Sequence, residues 1–508
     1  KTSVILCVLY YFKRECIYKI HMEGKMKKLL LLTAILSTGL YGASIDHIQT
    51  YSPDYLANQA QTGMIDGVSP YYNPAGLGRL EKGKYIHAGL QFAHGHEKMS
   101  YKGKEHKADL NQAIPNITLT FVDGKGATFF NFGGLAGGGK LAYNGVAGVD
   151  VLTDLAQFKP LRIYDKGSSL TGSNKYEQIT LGRAFNVDGK LSFSVAGRVV
   201  HGSRNMKGNL NIGVNPTDQY KDAKIKQVKE EVSKAVDAAT QGKGLSAAQI
   251  AAIKTQKTNE ALKKLNERLI DLTKNGLSGD IDSKREAWGY GFQLGVNYKV
   301  DDRLNLAARY DSRIKMNFKA KGSENQLPTT DILGQSIGLS TFYPQYTINS
   351  KIRRDLPAIL SVGASYKVTD NYLVSTTANY YFNHQAKMDR VTTFGGHEHG
   401  RDYKNGWEVA FGNEYRLNNK FTLIGSVNYA NTGAKNASFN DTEYALNSVT
   451  LGAGIRYNYD ETLAITASVA HFIYEKEEGN FKEKYKVDEN QKYHKQITAI
   501  GLSITKKF

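Results

Sequence analysis

The chain is short of three things. It has two cysteines in 508 residues, nine prolines, and no apolar run long enough to make a membrane helix. Both cysteines, Cys7 and Cys16, fall within the first 25 residues. Everything downstream therefore has no disulfide scaffold, no thiol nucleophile and no thiolate metal site. A spanning helix needs about 20 consecutive apolar residues. The longest run here, Leu29 to Leu40, is 12 residues even with its two Thr and its Ser counted in. A mean hydropathy of −0.43 beside 50 Gly and 32 Tyr does not suit a helical membrane protein either.

The short apolar run has a different meaning. It follows Met26-Lys27-Lys28 and ends at Gly39-Leu40-Tyr41-Gly42-Ala43-Ser44, so a basic start, a short apolar core and a small-residue exit predict a signal peptide over 26–43. Residues 1–25 fit nothing that should precede such a signal and read as an upstream extension, with Met26 as the initiator. Removing residues 1–43 takes away seven Lys/Arg and two Asp/Glu and lowers the net charge from +18 to +13. For an exported chain that charge means solubility or attraction to phosphate-bearing lipid head groups, and nucleic acid is not an expected partner.

Residues 44–83 show no sustained period. Turn formers dominate: Ser52-Pro53-Asp54, Asp66-Gly67, Ser69-Pro70 and Tyr71-Tyr72-Asn73-Pro74-Ala75-Gly76. Forty irregular residues ahead of a regular body predict a segment packed against that body.

From Lys84 the period becomes two, the mark of strands with unlike faces. Trp288, Tyr290, Phe292, Leu294, Val296 and Tyr298 alternate with Gly289, Gly291, Gln293, Gly295, Asn297 and Lys299. Similar alternation fills 407–417 and 449–459. Fourteen candidate strands lie between 84 and 507, among them 84–94, 115–122, 127–134, 303–318 and 350–368. Their connections are sorted: six short turns alternate with seven long loops, including 95–114, 135–175 and 203–285. An even number of strands with all tight turns at one end is how an outer-membrane barrel is built. The expected fold is thus all-β, a fourteen-stranded antiparallel transmembrane barrel over 84–508 with an N-terminal plug. One external loop differs. Residues 220–275 are rich in Lys, Glu and Ala at helical spacing, and Ser246-Ala-Ala-Gln249 has the form of a capping box, predicting a helical hairpin.

These pieces resemble the FadL-type outer-membrane transporters of long-chain fatty acids and aromatic hydrocarbons. The resemblance rests on Asn73-Pro74-Ala75 before the first strand, on Leu181 to Gly197, on Asp355-Leu356-Pro357 ahead of a strand, and on Trp407 to Tyr415 and Val449 to Tyr457. It implies passive uptake of a hydrophobic ligand, most of all a long-chain fatty acid. The N-terminal hatch closes the barrel, and the exit is sideways through a gap near a kinked third strand. Gly133 and Gly134 in the third strand are the candidate gate. Arg198, Arg309, Arg416 and Arg456 sit on the inferred lumen face and are candidates to pair with a ligand carboxylate. The terminal Phe508, after Ile500, Leu502 and Ile504, resembles the signal read by the barrel assembly machinery.

No nucleophile elbow or paired metal-ligand spacing occurs, and His397-Glu398-His399 lies in a polar loop; neither enzymatic activity nor a metal or cofactor is expected. Two other functions fit a barrel: a general diffusion porin, which has no use for a plug, and a surface adhesin working through the helical loop.

Overall fold

The computed structural model describes residues 48–145, 147–154, 156, 159–321, 330–331, 336–337, 351–387, 391–392, 398–399, 403–439 and 444–508. The expected signal peptide, the upstream extension, both cysteines and His397 lie outside them.

Fourteen wall strands are present: β1 Gly83–Tyr101, β2 Lys104–Val122, β3 Gly126–Tyr143, β4 Ser169–Asn186, β5 Leu191–Gly213, β6 Leu277–Lys299 and β7 Leu304–Asp311 with Asn317–Lys321. They continue as β8 Lys351–Arg353 with Ile359–Lys367, β9 Tyr372–Tyr381, β10 Gly406–Arg416, β11 Phe421–Asn431, β12 Ser448–Asn458, β13 Leu463–Tyr474 and β14 Lys492–Lys507. Each pairs antiparallel with the next, and β14 pairs with β1 from Tyr85↔Lys507 to Ser100↔Lys492, so the sheet closes into a barrel.

The alternation behind the strands is an inside–outside alternation. Leu90, Phe92, Trp288, Phe292, Leu294, Ile500 and Leu502 are exposed on the outer wall, while Asn297, Ser192, Arg309, Thr450 and Ser503 are buried inside. On β6 the apolar outer face runs from Tyr298 to Trp288. That is roughly 34 Å along the strand at about 3.4 Å per residue. Tilted by about 40°, it spans ~25 Å, the height of a hydrocarbon belt flanked by aromatic girdles.

The short turns share one device. Asp123, Asp188, Asp301, Asn418 and Asp460 each accept, through Oδ1, the N–H two residues on. In four of them the next N–H is bound as well. Such side chains mimic a backbone turn and fix hairpin register. The backbone N–H groups of Leu191 and Lys190 hold the exposed Asp188 carboxyl below its ordinary range.

Three expectations need correction at the outer end. Residues 95–114 are not a loop: β1 and β2 continue to a two-residue turn at Lys102 (φ 47°) and Gly103 (φ 78°), both left-handed as a primed hairpin turn demands. The loops at 135–175 and 203–285 likewise begin and end as strand. Above the hydrocarbon belt the outer face of a strand turns polar, so the ladder persists where the apolar signal of that face stops. The strands at 303–318 and 350–368 are each broken in two, because Pro357 offers no N–H, and the Ile314↔Leu356 bridge and the Arg354 N–H to the Met316 carbonyl (2.8 Å) join the breaks.

The helical hairpin is formed by α4, Asp218–Thr240, and α5, Ala247–Asn275, after three shorter helices, α1 Pro53–Ala57, α2 Ser69–Tyr72 and α3 Ala147–Asp154. The capping box at Ser246 and Gln249 has both of its bonds. Val232, Val236 and Leu265 carry the buried seam between the two helices.

Candidate functional site

The N-terminal segment lies inside the barrel. Lumen glycines make the room for it. A Cβ on Gly412 would stand 1.9 Å from Asn58 Oδ1, one on Gly452 2.4 Å from the Leu56 carbonyl oxygen, and one on Gly454 2.6 Å from Ala57 Cβ. Side chains from the wall then bind the segment. Asn58 Nδ2 donates to Ser375 (3.2 Å), Thr62 N to Thr377 (3.0 Å), Ser503 Oγ to Asp54 (2.8 Å) and Ser426 Oγ to the Ala57 carbonyl (2.8 Å). Tyr51, Tyr55, Tyr71 and Tyr72 stack among themselves, with ring centres 5.2 to 6.0 Å apart.

Asn73, Pro74 and Ala75 meet β5 and β6 near the short-turn end. Asn73 Oδ1 caps the following turn by accepting from Gly76 N (3.1 Å). Its amide nitrogen binds the Met64 carbonyl (3.0 Å) and reaches the Asn297 side chain (2.8 Å). Pro74 opens a 3-10 turn at its first position, where its missing N–H is harmless. Ser192 Oγ donates to the Ala75 carbonyl (2.8 Å), and Ala75 is fully buried. Replacing Asn73 by Ala strips a partner from buried Asn297, an unsatisfied-group cost of about 1–3 kcal/mol. We expect the segment to loosen. Bilayer conductance of N73A should rise while heat-modifiable gel mobility stays that of a folded barrel; failure of assembly would instead make the motif a folding element.

The four arginines do not act as one group. Asp311 lies between Arg198 (3.1 Å) and Arg309 (3.1 Å), all three side chains being at most 4% exposed. Arg309 also donates to the Tyr71 carbonyl, to Gln49 Oε1 (2.8 Å) and to Ser361 (3.1 Å), so it ties the segment to the wall. Arg456 makes a two-pronged pair with Glu414 (2.8 and 3.2 Å). Arg416 is not a lumen residue. It is exposed at the end of β10, where it binds the Asp370 carbonyl and Asn371 of the β8–β9 turn. The alternation slips there because the strand is already ending. Removing one partner of a buried ion pair costs about 3–5 kcal/mol. D311N should therefore lower the temperature at which the barrel loses heat-modifiable mobility; an unchanged midpoint would show that Asp311 is expendable.

A break in the wall lies on the other side of the barrel. The β2–β3 ladder runs from Val122↔Ala127 to Asn116↔Gly133 and stops, with only Ala108↔Tyr143 paired beyond. Residues 109–115 and 134–142 have no ladder between them, although β2 stays paired to β1 throughout. Two sequence features meet at the break. Pro115 has no N–H to offer the ladder. β3 is bulged against β4 between Gly134 and Gly139, with Gly137 (φ +124°) and Gly139 (φ +69°) in backbone conformations that a side chain resists.

At that break is an apolar cavity of about 160 Å³. Leu110, Ile114, Phe132, Leu135, Phe472 and Ile497 line it together with Ala93 and Ala499, and Thr50 of the N-terminal segment borders it. Gly134 lines the cavity; Gly133 does not, and instead faces the Tyr71 hydroxyl. None of the four candidate arginines borders it. Its polar end was missed in the sequence. Glu97 and Lys495 are register partners on β1 and β14, 3.5 Å apart and at most 5% exposed. Lys495 also stands over the Tyr444 ring (4.5 Å).

Comparison with known proteins decides the family. The model for the outer membrane protein transport proteins (OMPP1/FadL/TodX) matches residues 173–508. The chain belongs to this family. As a FadL/TodX-type protein it is an outer-membrane barrel and not an enzyme. Among curated relatives, the 47 kDa outer membrane protein of Pasteurella multocida is 25% identical over 208 residues, 39% of this chain and 46% of the relative. Outer membrane protein P1 of Haemophilus influenzae is 22% identical over 197 residues, 37% of this chain and 38% of the relative. The chain thus spans about half the length of the curated relatives it matches, or less. Two solved structures share the fold. The toluene transporter TodX of P. putida has a TM-score of 0.60 at 15% identity, over 91% of this chain and 99% of that one. A FadL homologue of Pseudomonas aeruginosa has 0.59 at 14%, over 92% and 100%.

Proposed function

We propose that this FadL/TodX-type barrel takes up small hydrophobic molecules, holds them in the cavity beside β3, and releases them sideways between β2 and β3 into the membrane. The observation that carries this reading is the apolar cavity at the unpaired stretch, whose lining includes Ala113 and Pro115 of β2 and Gly134 and Gly137 of β3. A greasy solute needs such a dry path, because a polar surface and a water-filled pore both exclude it. The N-terminal segment serves as the plug that keeps the lumen from conducting, and Phe508, paired to Lys84, is the end offered to the assembly machinery.

Size favours one ring or a bent stretch of alkyl chain, since an engineered dry cavity of about 150 Å³ binds benzene. A monoaromatic hydrocarbon is therefore the first substrate class, in keeping with the toluene transporter among the neighbours. A long-chain fatty acid is the second, favoured by Lys495 in the cavity lining. Uptake of labelled toluene and labelled oleate by cells lacking other routes tests both. Toluene uptake unaffected by K495M supports the first. Oleate uptake lost at least tenfold in K495M supports the second. Uptake of neither, or a large steady conductance in planar bilayers, sinks the reading.

A further inference from the structure

The outer half of β7 and its approach carry a strict pattern: Arg313, Lys315, Asn317, Lys319 and Lys321 alternate with Ile314, Met316, Phe318 and Ala320. The apolar set is at most 2% exposed and faces the lumen, so the cations stand on the outer wall. On the neighbouring strands they meet more of the same sign. Lys351 of β8 is the direct register partner of Lys319, whose other side faces Glu286 of β6.

Among the described residues two carboxylates serve this patch, and both are occupied. Glu286 receives Lys284 (3.2 Å) and Lys321 (2.6 Å). Asp355 receives Arg353 (2.8 Å) and Arg313 (3.6 Å). Lys315, Lys319 and Lys351 have no carboxylate within bonding distance among the described residues. Like charges directly opposite on neighbouring strands are destabilising, so the Lys319–Lys351 pair is unfavourable unless an anion lies between them.

Position says which anion. Lys319 and Glu286 sit one outward-facing step beyond Trp288, and Trp288 with Tyr290 ends the apolar belt of β6 on the long-loop side. A group at that height is level with the headgroups of the outer leaflet, where the ammonium groups meet phosphate rather than water or hydrocarbon.

We propose that Lys315, Lys319 and Lys351 form a docking site for the phosphate groups of a phosphorylated lipid in the outer leaflet around the barrel. The lipid's acyl chains lie along Trp288, Tyr290 and Phe292 below it. The phosphate screens the Lys319–Lys351 repulsion, and each ammonium contributes as a point charge.

Native mass spectrometry of the full chain, released from detergent with added diphosphoryl lipid A, tests this. Wild type should retain the lipid, and K315Q/K319Q/K351Q should retain at least tenfold less. The same triple change to Arg should restore retention, and K226Q/K229Q/K234Q on α4 should leave it at the wild-type level. Dephosphorylated lipid A should not be retained by wild type. Equal retention by the triple Gln variant, or retention of the dephosphorylated lipid, overturns the proposal. Displacement of lipid A by millimolar inorganic phosphate also overturns it, since the site is then one for small anions. Should the triple Gln variant not fold, K319Q alone decides, with retention expected to fall severalfold and an unchanged value counting against the site.

Discussion

Placing rings at Ala93 and Ala499 should cut uptake of the hydrophobic substrate at least tenfold while the barrel still assembles. Both alanines are buried, and both border the cavity of about 160 Å³ from β1 and β14. Adding side-chain volume to a packed core costs about 1–3 kcal/mol. Here the added ring enters space that is already empty, so A93F/A499F should fold and show unchanged heat-modifiable mobility. The ring instead occupies the volume a ligand needs. A tenfold loss corresponds to about 1.4 kcal/mol, modest beside the apolar contact that the ligand forfeits. The same change at Val195, which faces the lipid, should leave uptake at the wild-type rate. If A93F/A499F transports normally, the cavity is not on the path.

The second large effect is expected at the lumen glycines. Val at Gly412 or Gly452 places a Cβ 1.9 Å from Asn58 Oδ1 or 2.4 Å from the Leu56 carbonyl oxygen. Something must move, and the two sides differ in what holds them. β10 and β12 are each paired along their length to strands on both sides. The segment at 53–62 is held by its own short helix and by side-chain bonds from the wall. The segment should yield. G412V and G452V are therefore expected to show steady conductance in planar bilayers, and to admit polar antibiotics to cells expressing them, with assembly unchanged. A folded G412V barrel that conducts no better than wild type would mean that the lumen is blocked by something other than this segment.

Much of the wall was legible because a membrane makes the outer face of each strand apolar and the inner face small or polar. The sequence pattern in 286–299 or 447–459 reflects that contrast directly. It fails where the contrast fails. Residues 95–114 remain strand, but there the outward face is polar while Met99, Tyr101, Ala108 and Leu110 are buried inside, and only the left-handed pair Lys102-Gly103 marks the true turn. Asn73-Pro74-Ala75 was legible as a motif ahead of the first strand; its partners Asn297 and Ser192, more than a hundred residues away, were not. Among the candidate site residues, Gly134 reached the cavity, and the arginines did not. Three of them are bound by Asp311 and Glu414, acids of the same inner face, and the fourth lies at a strand end. Pro115 was the available signal for the break in β2–β3 pairing, since a proline at mid-strand needs an explanation. It was hidden by its place at the boundary of an expected loop. Lys495 and Glu97 gave no signal at all, for their pairing depends on how β14 meets β1.

That meeting also sets an order of events. Asp54 is bound by Ser503, and the Pro53 ring lies against Gly501, so the N-terminal segment rests on the last strand. Contacts separated by some 449 residues form only after the intervening chain has been placed. The full seat of the N-terminal segment therefore forms only when the last strand is in place. Until β14 arrives, Asp54 and Pro53 lack their seat, so the seam that closes the cylinder is also the one that completes the hold on its occupant.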